Sequence, residues 1–327
     1  MISSLLSLVL LGIAGYLATI DLGLDGQIGL GIALVGMLLL VKPFERNATI
    51  RLIAIAFAAF ASFRYFFWRS TETIPTENWL LMLLGLLLLA AEAYGIWIYT
   101  SGAFIALRPL DRRSAPLPSD PERLPGVDIL IPSYLEPWEV VGTTLIAAKS
   151  IRWPEGKLRV VLCDDGGTLQ RRESSDHDKA EAALRRHEEF KAKCAEIGVV
   201  YITRDKNVGA KAGNLNHAMK NLPDPGQLVV VFDADHVPTA DFLERTVGFF
   251  IEDERLSLVQ TPHHFVTPDP IEKNLGTFDN SPGESELFYG SVHRGLDFWN
   301  ASFFCGSAAV MRRKALDEIG GIQEDTV

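Results

Sequence analysis

The chain has 327 residues, of which 48% are hydrophobic, and its formal net charge is −10. This length exceeds that of one ordinary soluble domain, so we expect more than one structural region. The negative charge disfavours a nucleic-acid partner, because binding to phosphates needs a basic surface. The three cysteines, Cys163, Cys194 and Cys305, follow no metal-binding spacing, and we interpret them as reduced packing residues.

The apolar residues are densest before residue 100. Four runs, at 2–20, 24–41, 50–67 and 79–99, are long enough to cross a membrane as helices. A soluble helical bundle fits them poorly because they are long and uniformly apolar. A cleaved signal peptide also fits poorly, since no basic segment precedes the first run. We therefore predict four transmembrane helices within residues 1–105.

Basic residues in the short loops predict the orientation of these helices. They lie between the second and third spans and after the fourth: Lys42, Arg46, Arg51, Arg108, Arg112 and Arg113. Loops rich in Lys and Arg stay on the cytoplasmic side. An even number of spans then places the N-terminus and everything after residue 105 in the cytoplasm.

Two ionisable residues, Arg64 and Glu92, lie within predicted spans. A charge in hydrocarbon is costly unless it is paired or faces water. Two interpretations stay open. Either Arg64 reaches toward the membrane interface and pairs with Glu92, or the two residues line a pore.

Residues 106–125 are rich in Pro, Arg, Ser and Asp and are predicted to form a linker. From residue 126 onward, short apolar runs alternate with helical patterns, which is typical of a mostly parallel sheet covered by helices. The predicted strands are 127–132, 158–163, 199–202, 228–232 and 256–260, and the predicted helices lie near 138–151, 177–196, 211–221 and 240–251. The helix at 177–196 is highly charged, so we expect a solvated face without chemistry.

Polar clusters follow the predicted strands, and in an open α/β sheet such strand ends meet at one ligand crevice. After the first strand, the ring of Tyr134 can stack on a base while Glu136 accepts a hydrogen bond from it. Asp164 ends the second strand, and its carboxylate can likewise accept a hydrogen bond from a base or ribose. Lys211 opens a helix, where its ammonium and the first backbone amides favour a phosphate. Each cluster alone is also compatible with a plain surface turn.

The fourth predicted strand is followed by Asp233, Asp235 and His236. Strand side chains alternate between faces, so the two carboxylates are expected to point the same way and to offer hard oxygen ligands to a divalent cation. Ordinary loop chemistry is the alternative explanation. We expect the cation to hold a diphosphate.

Further motifs follow the fifth strand. His263 is a candidate contact for a phosphate or sugar, and a turn of small residues is a candidate floor for an acceptor site. This turn comprises Phe303, Phe304, Cys305, Gly306 and Ser307. The segment 284–299 has apolar residues at near-helical spacing, and it either packs in a core or lies against the membrane.

Together these motifs resemble the processive, membrane-integrated family 2 glycosyltransferases of the bacterial cellulose synthase type. The resemblance runs from Phe63-Arg64-Tyr65 to the end of the chain. The motifs stand in the family's order, at 133–137, 163–167, 211–214, 233–236, 260–265 and 303–307. The resemblance implies an α-helical membrane bundle followed by an α/β domain of the glycosyltransferase-A type, over 126–327, that is truncated at its C-terminal end.

The resemblance also implies UDP-glucose as donor, Mg²⁺ as cofactor and a β-1,4-glucan product exported through a bacterial inner membrane, in contact with its lipid and a periplasmic accessory subunit. By this resemblance Tyr134 stacks on uracil, while Glu136 and Asp164 hold the nucleoside. Lys211 contacts phosphate. The implied metal ligands are Asp233, Asp235 and His236. The implied border of the donor and acceptor sites is His263 with Phe303, Phe304, Cys305, Gly306 and Ser307.

The sequence also departs from the family's pattern. Leu135 stands where the family often has Asn. The family's general base is expected after Val327, and Glu324-Asp325 comes too early to replace it. Cyclic di-GMP binding is expected only through regions that follow. We therefore expect this stretch to bind UDP but to transfer sugar poorly. A synthase of chitin, hyaluronan, mannan or another glucan, or a non-catalytic conduit, is the alternative.

Overall fold

The computed structural model describes residues 12–44, 47–281 and 283–325. They divide into two compact units. The helical unit holds the described residues up to Asp111 together with Thr267–Ala301, and the sheet unit holds Arg112–Val266 and the described residues from Ser302 onward. The predicted domain boundaries at 105 and 126 stay a prediction, and residues 267–301, predicted as part of the sheet domain, group here with the helices.

Three long apolar helices form most of the helical unit: α1 (Gly23–Val41), α2 (Ala48–Glu72) and α3 (Trp79–Ile105). Each is long and apolar enough to cross a membrane. Asn47 and Asn78 begin α2 and α3, because each side chain accepts hydrogen bonds from two amides of the first helical turn. The first predicted span falls largely outside the described residues, of which 12–19 are helical.

The two ionisable residues of the spans do not pair with each other, so that prediction is wrong. Glu92 instead pairs with Arg69 at 3.0 Å. Arg64 is 6% exposed, and its guanidinium donates to four oxygens. These belong to the carbonyls of Leu17, Ala18 and Ile20 and to the side chain of Gln27. The buried charge is therefore met by backbone dipoles, and the pore-lining alternative stays a prediction.

The segment 267–301 contains short helices at Pro270–Leu275, Glu284–Leu287 and His293–Phe298, with a π-helical turn at Phe288–Val292. It packs on the end of α3. The rings of Phe104 and Trp299 stack with centroids 4.5 Å apart. Gly295 lies so close to the Ile105 carbonyl that a Cβ would come within 2.2 Å of its oxygen. The segment is thus a packed part of the helical unit.

Within the described residues, the sheet unit is built on six strands in the order β3-β2-β1-β4-β6-β5. The strands are β1 (Val127–Ser133), β2 (Leu158–Asp164), β3 (Val200–Ile202), β4 (Leu228–Val231), β5 (Leu258–Gln260) and β6 (Ala309–Arg312). The first four pair in parallel, and β6 is antiparallel to both of its neighbours. The predicted mostly parallel α/β sheet is confirmed. The sequence reading missed β6, whose four residues carry no alternation.

Helices cover both faces of the sheet. They are α4 (Trp138–Lys149), α5 (Leu169–Arg172), α6 (His177–Glu196), α7 (Ala210–Asn221), α8 (Phe242–Thr246), α9 (Gly248–Glu252) and α10 (Arg313–Glu318). The helix predicted at 240–251 is divided into α8 and α9 at Val247.

The core of the sheet unit has two layers because strand side chains alternate between faces. Ile129, Ile131 and Leu162 pack on one side with residues of α4 and α6. Leu130 and Val161 pack on the other side with residues of α7. Since both faces of the central strands are covered, the inner residues 129–132 and 160–163 are all apolar, while Asp128 and Arg159 pair with each other at 2.8 Å near the strand starts. Polar residues are therefore displaced to the strand ends.

Gly213 gives a test of how tightly α7 packs. A Cβ at this position would come within 2.0 Å of the Val208 carbonyl oxygen and 2.8 Å of Arg204 Nη1. We expect G213A to destabilise the sheet unit by about 1–3 kcal/mol, because a backbone carbonyl cannot move aside as a flexible side chain can. The measurement is the thermal unfolding midpoint of the detergent-solubilised chain.

The matched control is G126A, since a Cβ on Gly126 would meet its nearest neighbour, the Cα of Gly226, at 3.6 Å. That is ordinary contact. Equal loss of stability in the two variants would contradict the packing argument.

Candidate functional site

The candidate site lies where the parallel strands end. Ser133 and Asp164, the last residues of β1 and β2, are paired in register. The neighbouring strand β4 ends at Val231, and a turn follows in which the His236 amide donates to the Asp233 carbonyl at 3.0 Å. The three strand ends thus share one edge of the sheet, as predicted for a ligand crevice.

The turn after β4 corrects one expectation. Asp233 and Asp235 lie beyond the strand, so strand alternation does not set the direction of their carboxylates. The turn is held instead by the buried hydroxyl of Thr144 on α4, which donates to the Ala234 carbonyl at 2.7 Å. Sequence reasoning assigned Thr144 no part in the site.

Lys211 joins three of the predicted motifs. Its ammonium contacts the Asp233 carboxylate and donates to the Gly306 carbonyl at 2.8 Å. Gly306 has φ +91°, a backbone conformation that residues other than glycine rarely adopt. The Lys211 and Asp233 side chains are 40% and 36% exposed, so the pair is open to solvent and to ligands.

Ser307 links the turn after β4 to two imidazoles. Its buried hydroxyl accepts from the Asp233 amide at 2.8 Å and lies 2.7 Å from His236 Nδ1. His263 Nε2 lies 3.1 Å from the Ser307 carbonyl, and because a carbonyl only accepts, this nitrogen carries a proton. Burial lowers the pKa of His263, which keeps its ring neutral at neutral pH.

Gln260, at the end of β5, holds the small-residue turn in place. Its side-chain oxygen accepts from the Cys305 amide at 2.8 Å, and its nitrogen donates to the Ser307 carbonyl at 2.7 Å. The sequence shows Gln260 as a polar residue at a strand end, and it was given no role of its own. It positions the carbonyl of Gly306 that Lys211 contacts.

Tyr134 and Glu136 form the other side of the site. The Glu136 carboxylate accepts from the Ser133 hydroxyl at 2.8 Å and from the Tyr134 amide at 2.7 Å. Burial by itself would raise the pKa of Glu136, but these hydrogen bonds and the Arg186 charge outweigh it and lower the pKa. The Tyr134 ring is 43% exposed.

The prediction that helix α6 presents only a solvated face without chemistry is wrong at Arg186. Its guanidinium donates to Asp164 at 3.0 Å, to the Glu136 carbonyl at 2.6 Å and to the Ser133 hydroxyl at 2.8 Å. Helical spacing in the sequence could have indicated that Arg186 lies on the buried face, since it comes three residues after buried Ala183 and four before buried Phe190.

Asp164 is fully buried, and its second oxygen accepts from the Tyr201 hydroxyl at 2.9 Å. The structure places this carboxylate beneath the strand edge, where it supports Arg186. Direct contact between Asp164 and a nucleoside stays a prediction.

Asp165 and Arg204 tie the second strand end to the start of α7. The carboxylate and guanidinium form two hydrogen bonds of 2.7 Å in a buried, fork-to-fork pair. Arg204 also donates to the Ala210 carbonyl at 2.9 Å, one residue before Lys211. This pair, also missed from the sequence, sets where α7 presents its lysine.

The comparison with known proteins decides the family. Residues 128–320, more than half of the chain, match the profile of Glycosyl transferase family 2. The chain belongs to glycosyl transferase family 2. The sheet unit of this family 2 chain accordingly has the glycosyltransferase-A type of fold.

Two curated relatives are similar over most of this family 2 chain. The cellulose synthase catalytic subunit [UDP-forming] of Xanthomonas axonopodis pv. citri (strain 306) is 44% identical over 295 residues, which is 89% of this chain and 38% of the relative. The protein of the same name from Pseudomonas fluorescens (strain SBW25) is 44% identical over 296 residues, 90% of this chain and 37% of the relative. The chain thus spans well under half the length of these relatives.

A solved structure is similar at greater distance. A mannosyltransferase from Pyrobaculum calidifontis, in complex with GDP-Man and Mn²⁺, is 21% identical and covers 73% of this chain and 58% of its own, with a TM-score of 0.43. This similarity is too low for a comparison of the two sites residue by residue.

The acidic turn of this family 2 chain can be tested for its fit to a divalent cation. Asp235 is 73% exposed, and its Oδ1 lies 3.9 Å from His236 Nε2. One cation can contact both atoms, since metal–oxygen and metal–nitrogen bonds are each about 2.1 Å long. The imidazole is a ligand only in the tautomer whose Nδ1 donates to Ser307.

The third predicted ligand, Asp233, is engaged by Lys211 instead. Within residues 12–44, 47–281 and 283–325, no three His, Cys, Asp or Glu side chains already converge as a metal site. The side chains of Asp235 and His236 fit a cation as they stand, and the ligand role of Asp233 stays a prediction.

The Glu324 side chain is bound to a residue of α7. Its carboxylate accepts from the Asn216 side chain at 2.7 Å, and Asn216 also exchanges two hydrogen bonds with the Ile322 backbone. The structure therefore gives no reason to assign the general base to Glu324.

The lowered pKa of Glu136 predicts a pH dependence. A carboxyl group whose pKa is lowered by folding contributes stability above its ordinary value of 4.5, and that contribution is lost as the pH falls through the lowered pKa. E136Q cannot titrate. We expect the wild type to be more stable than E136Q near neutral pH and the difference to shrink below about pH 4.5.

Thermal midpoints measured across this pH range test the prediction. E254Q, which alters an exposed glutamate, is the control. A difference between wild type and E136Q that does not vary with pH would show that the carboxylate charge is not responsible.

The role of Gln260 can be tested in the same way. Q260A leaves the Cys305 amide without its side-chain acceptor and removes one of the two side-chain donors to the Ser307 carbonyl, so we expect a loss of about 1–3 kcal/mol in the free energy of unfolding. Chemical denaturation of the solubilised chain measures it. Q170A, at an exposed glutamine, should have little effect, and an equal loss there would refute the assignment.

Proposed function

We propose that this chain supplies the donor-binding part of a processive, inverting glucosyltransferase. The enzyme transfers glucose from UDP-glucose to the growing end of a β-1,4-glucan and exports the polymer across the membrane. Family 2 membership and the similarity to UDP-forming cellulose synthase subunits support this proposal. The observation that carries it is the meeting of Lys211, Asp233 and Gly306 at the carboxyl edge of the sheet.

Donor binding at this edge exchanges one ion pair for two. Lys211 and Asp233 neutralise each other in the free chain. A diphosphate attracts the Lys211 ammonium, which then leaves Asp233 to a cation beside Asp235. The exchange costs little, because both side chains are more than a third exposed and exposed ion pairs contribute little stability.

The proposed cation is Mg²⁺, because carboxylate oxygens are the ligands that this ion prefers. Asp233, Asp235 and His236 would hold it, and when bound it neutralises charge on the departing diphosphate. Lys211 adds a fixed positive charge on the same side. Electrostatic stabilisation of this preorganised kind is a large contribution to catalysis.

The remaining residues orient the two substrates. The exposed ring of Tyr134 stacks on uracil, and Glu136, ionised because of its lowered pKa, accepts from the nucleoside. The turn 303–307 borders the acceptor, where Phe303 offers an apolar face that is 48% exposed. A general base would take the proton from the attacking hydroxyl.

We place the helical unit in a bacterial inner membrane and the sheet unit in the cytoplasm. Three apolar helical stretches, Gly23–Phe44, Ala48–Glu72 and Trp79–Ile105, support membrane association. The basic loops around Lys42 and Arg108 support the orientation. Cys163 and Cys194 are buried free thiols, as expected in a reducing compartment.

Metal-dependent UDP binding tests the proposal. We expect the solubilised chain to bind UDP in the presence of Mg²⁺ and to lose this binding with EDTA. D235N and K211A should each weaken it about tenfold or more, because D235N removes a ligand of the cation and K211A removes a positive charge next to the diphosphate. Isothermal titration calorimetry measures the affinity.

The matched control is D317N, which alters an aspartate on the surface of α10 that is 62% exposed. Unchanged UDP affinity in both D235N and K211A, or binding that ignores EDTA, would refute the proposed site. Competition by UDP-glucose, UDP-N-acetylglucosamine and GDP-mannose in the same assay ranks the donors, and we expect UDP-glucose to compete best.

A further inference from the structure

We propose that Arg171 is a second nucleobase-binding residue, which covers Tyr134 in the free chain and closes on the opposite face of the base when a nucleotide enters. The proposal rests on the proposed function, since it assumes that a uridine nucleotide occupies this site. It adds a residue to which the sequence motifs gave no role.

The geometry places Arg171 directly over the ring. Its guanidinium carbon lies 5.1 Å from the centroid of Tyr134, and Nη1 donates to the tyrosine hydroxyl at 2.9 Å. The planar guanidinium stacks well on aromatic faces and is weakly hydrated, so it is suited to cover either a tyrosine ring or a base. The guanidinium therefore covers one face of the Tyr134 ring in the free chain.

Arg171 is held much less firmly than the arginines beside it. Arg186 and Arg204 each bind a buried aspartate and further backbone or side-chain oxygens. Arg171 Nε, by contrast, is buried and has no hydrogen-bond partner among the described residues. A guanidinium with an unmet donor has little to lose by moving, and a ligand that offers acceptor oxygens would satisfy it.

The distance shows that movement is required. A base stacked between two planar groups needs about 3.5 Å on each side, or about 7 Å in total. The present separation of 5.1 Å is therefore about 2 Å too short. The long arginine side chain can open by this amount through rotamer changes.

The backbone of α5 keeps the guanidinium close while the side chain moves. The amides of Leu169 and Gln170 donate to the carbonyls of Arg204 and Asp205, at 3.2 and 2.8 Å. When the Arg171 side chain opens, its guanidinium therefore stays near Tyr134, and the base is held between the two groups.

The test compares a ligand that has a base with one that does not. The full 327-residue chain in detergent is titrated with UDP and with inorganic pyrophosphate, both with Mg²⁺. We expect R171L to weaken UDP binding about tenfold, as loss of a desolvated cation–π contact would, and to leave pyrophosphate binding unchanged. R171K keeps the charge without the plane and should also weaken UDP binding selectively.

The matched control is R185L, which removes the same charge from an exposed position on the neighbouring helix α6 and should leave both affinities unchanged. If R171L loses its thermal unfolding transition, R171K carries the comparison. Three results would overturn the proposal: unchanged UDP affinity, equal weakening of both ligands, or tighter UDP binding, which would make Arg171 an obstruction. A wild-type chain that binds neither ligand would instead refute the proposed function.

Discussion

The contact between Lys211 and Asp233 is the interaction on which the candidate site depends. Lys211 stands at the start of α7, Asp233 follows β4, and the same ammonium reaches the carbonyl of Gly306 before β6. Three segments far apart in the sequence are thereby joined at one charge. Because the pair is partly exposed, breaking it costs little free energy, which is what the proposed exchange with a diphosphate and a cation requires.

Arginines in the sheet unit divide between fixed and adjustable roles. Arg186 and Arg204 are paired with the consecutive buried carboxylates Asp164 and Asp165, and removal of either partner would leave an uncompensated buried charge. These pairs fix the strand ends relative to α6 and α7. Arg171 is bound to the tyrosine hydroxyl and has an unmet donor, so it is free to respond to a ligand.

In the helical unit, buried charges are satisfied in a different way. Arg64 donates to backbone carbonyls near the end of the helical residues 12–19, and Glu92 is neutralised by Arg69. Hydrocarbon makes an unpaired charge costly, so both arrangements keep the ionisable groups satisfied within the unit. The same chain thus uses arginine to close helix ends in one unit and to brace strand ends in the other.

The sequence by itself determined the alternation of strands and helices, the apolar strands β1 to β5, the bounds of α6 and the polar clusters at strand ends. These features follow from local periodicity and from burial on both faces, which neighbouring residues encode. Only the tertiary structure decided the partners. Arg186 meets Asp164 from 22 residues away and Arg204 meets Asp165 from 39 residues away. β6 enters between β4 and β5 because both leave an open edge, which no local pattern records. Asp233 likewise pairs with Lys211 from 22 residues away. Charge pairing over such sequence separations depends on where the folded backbone brings the side chains.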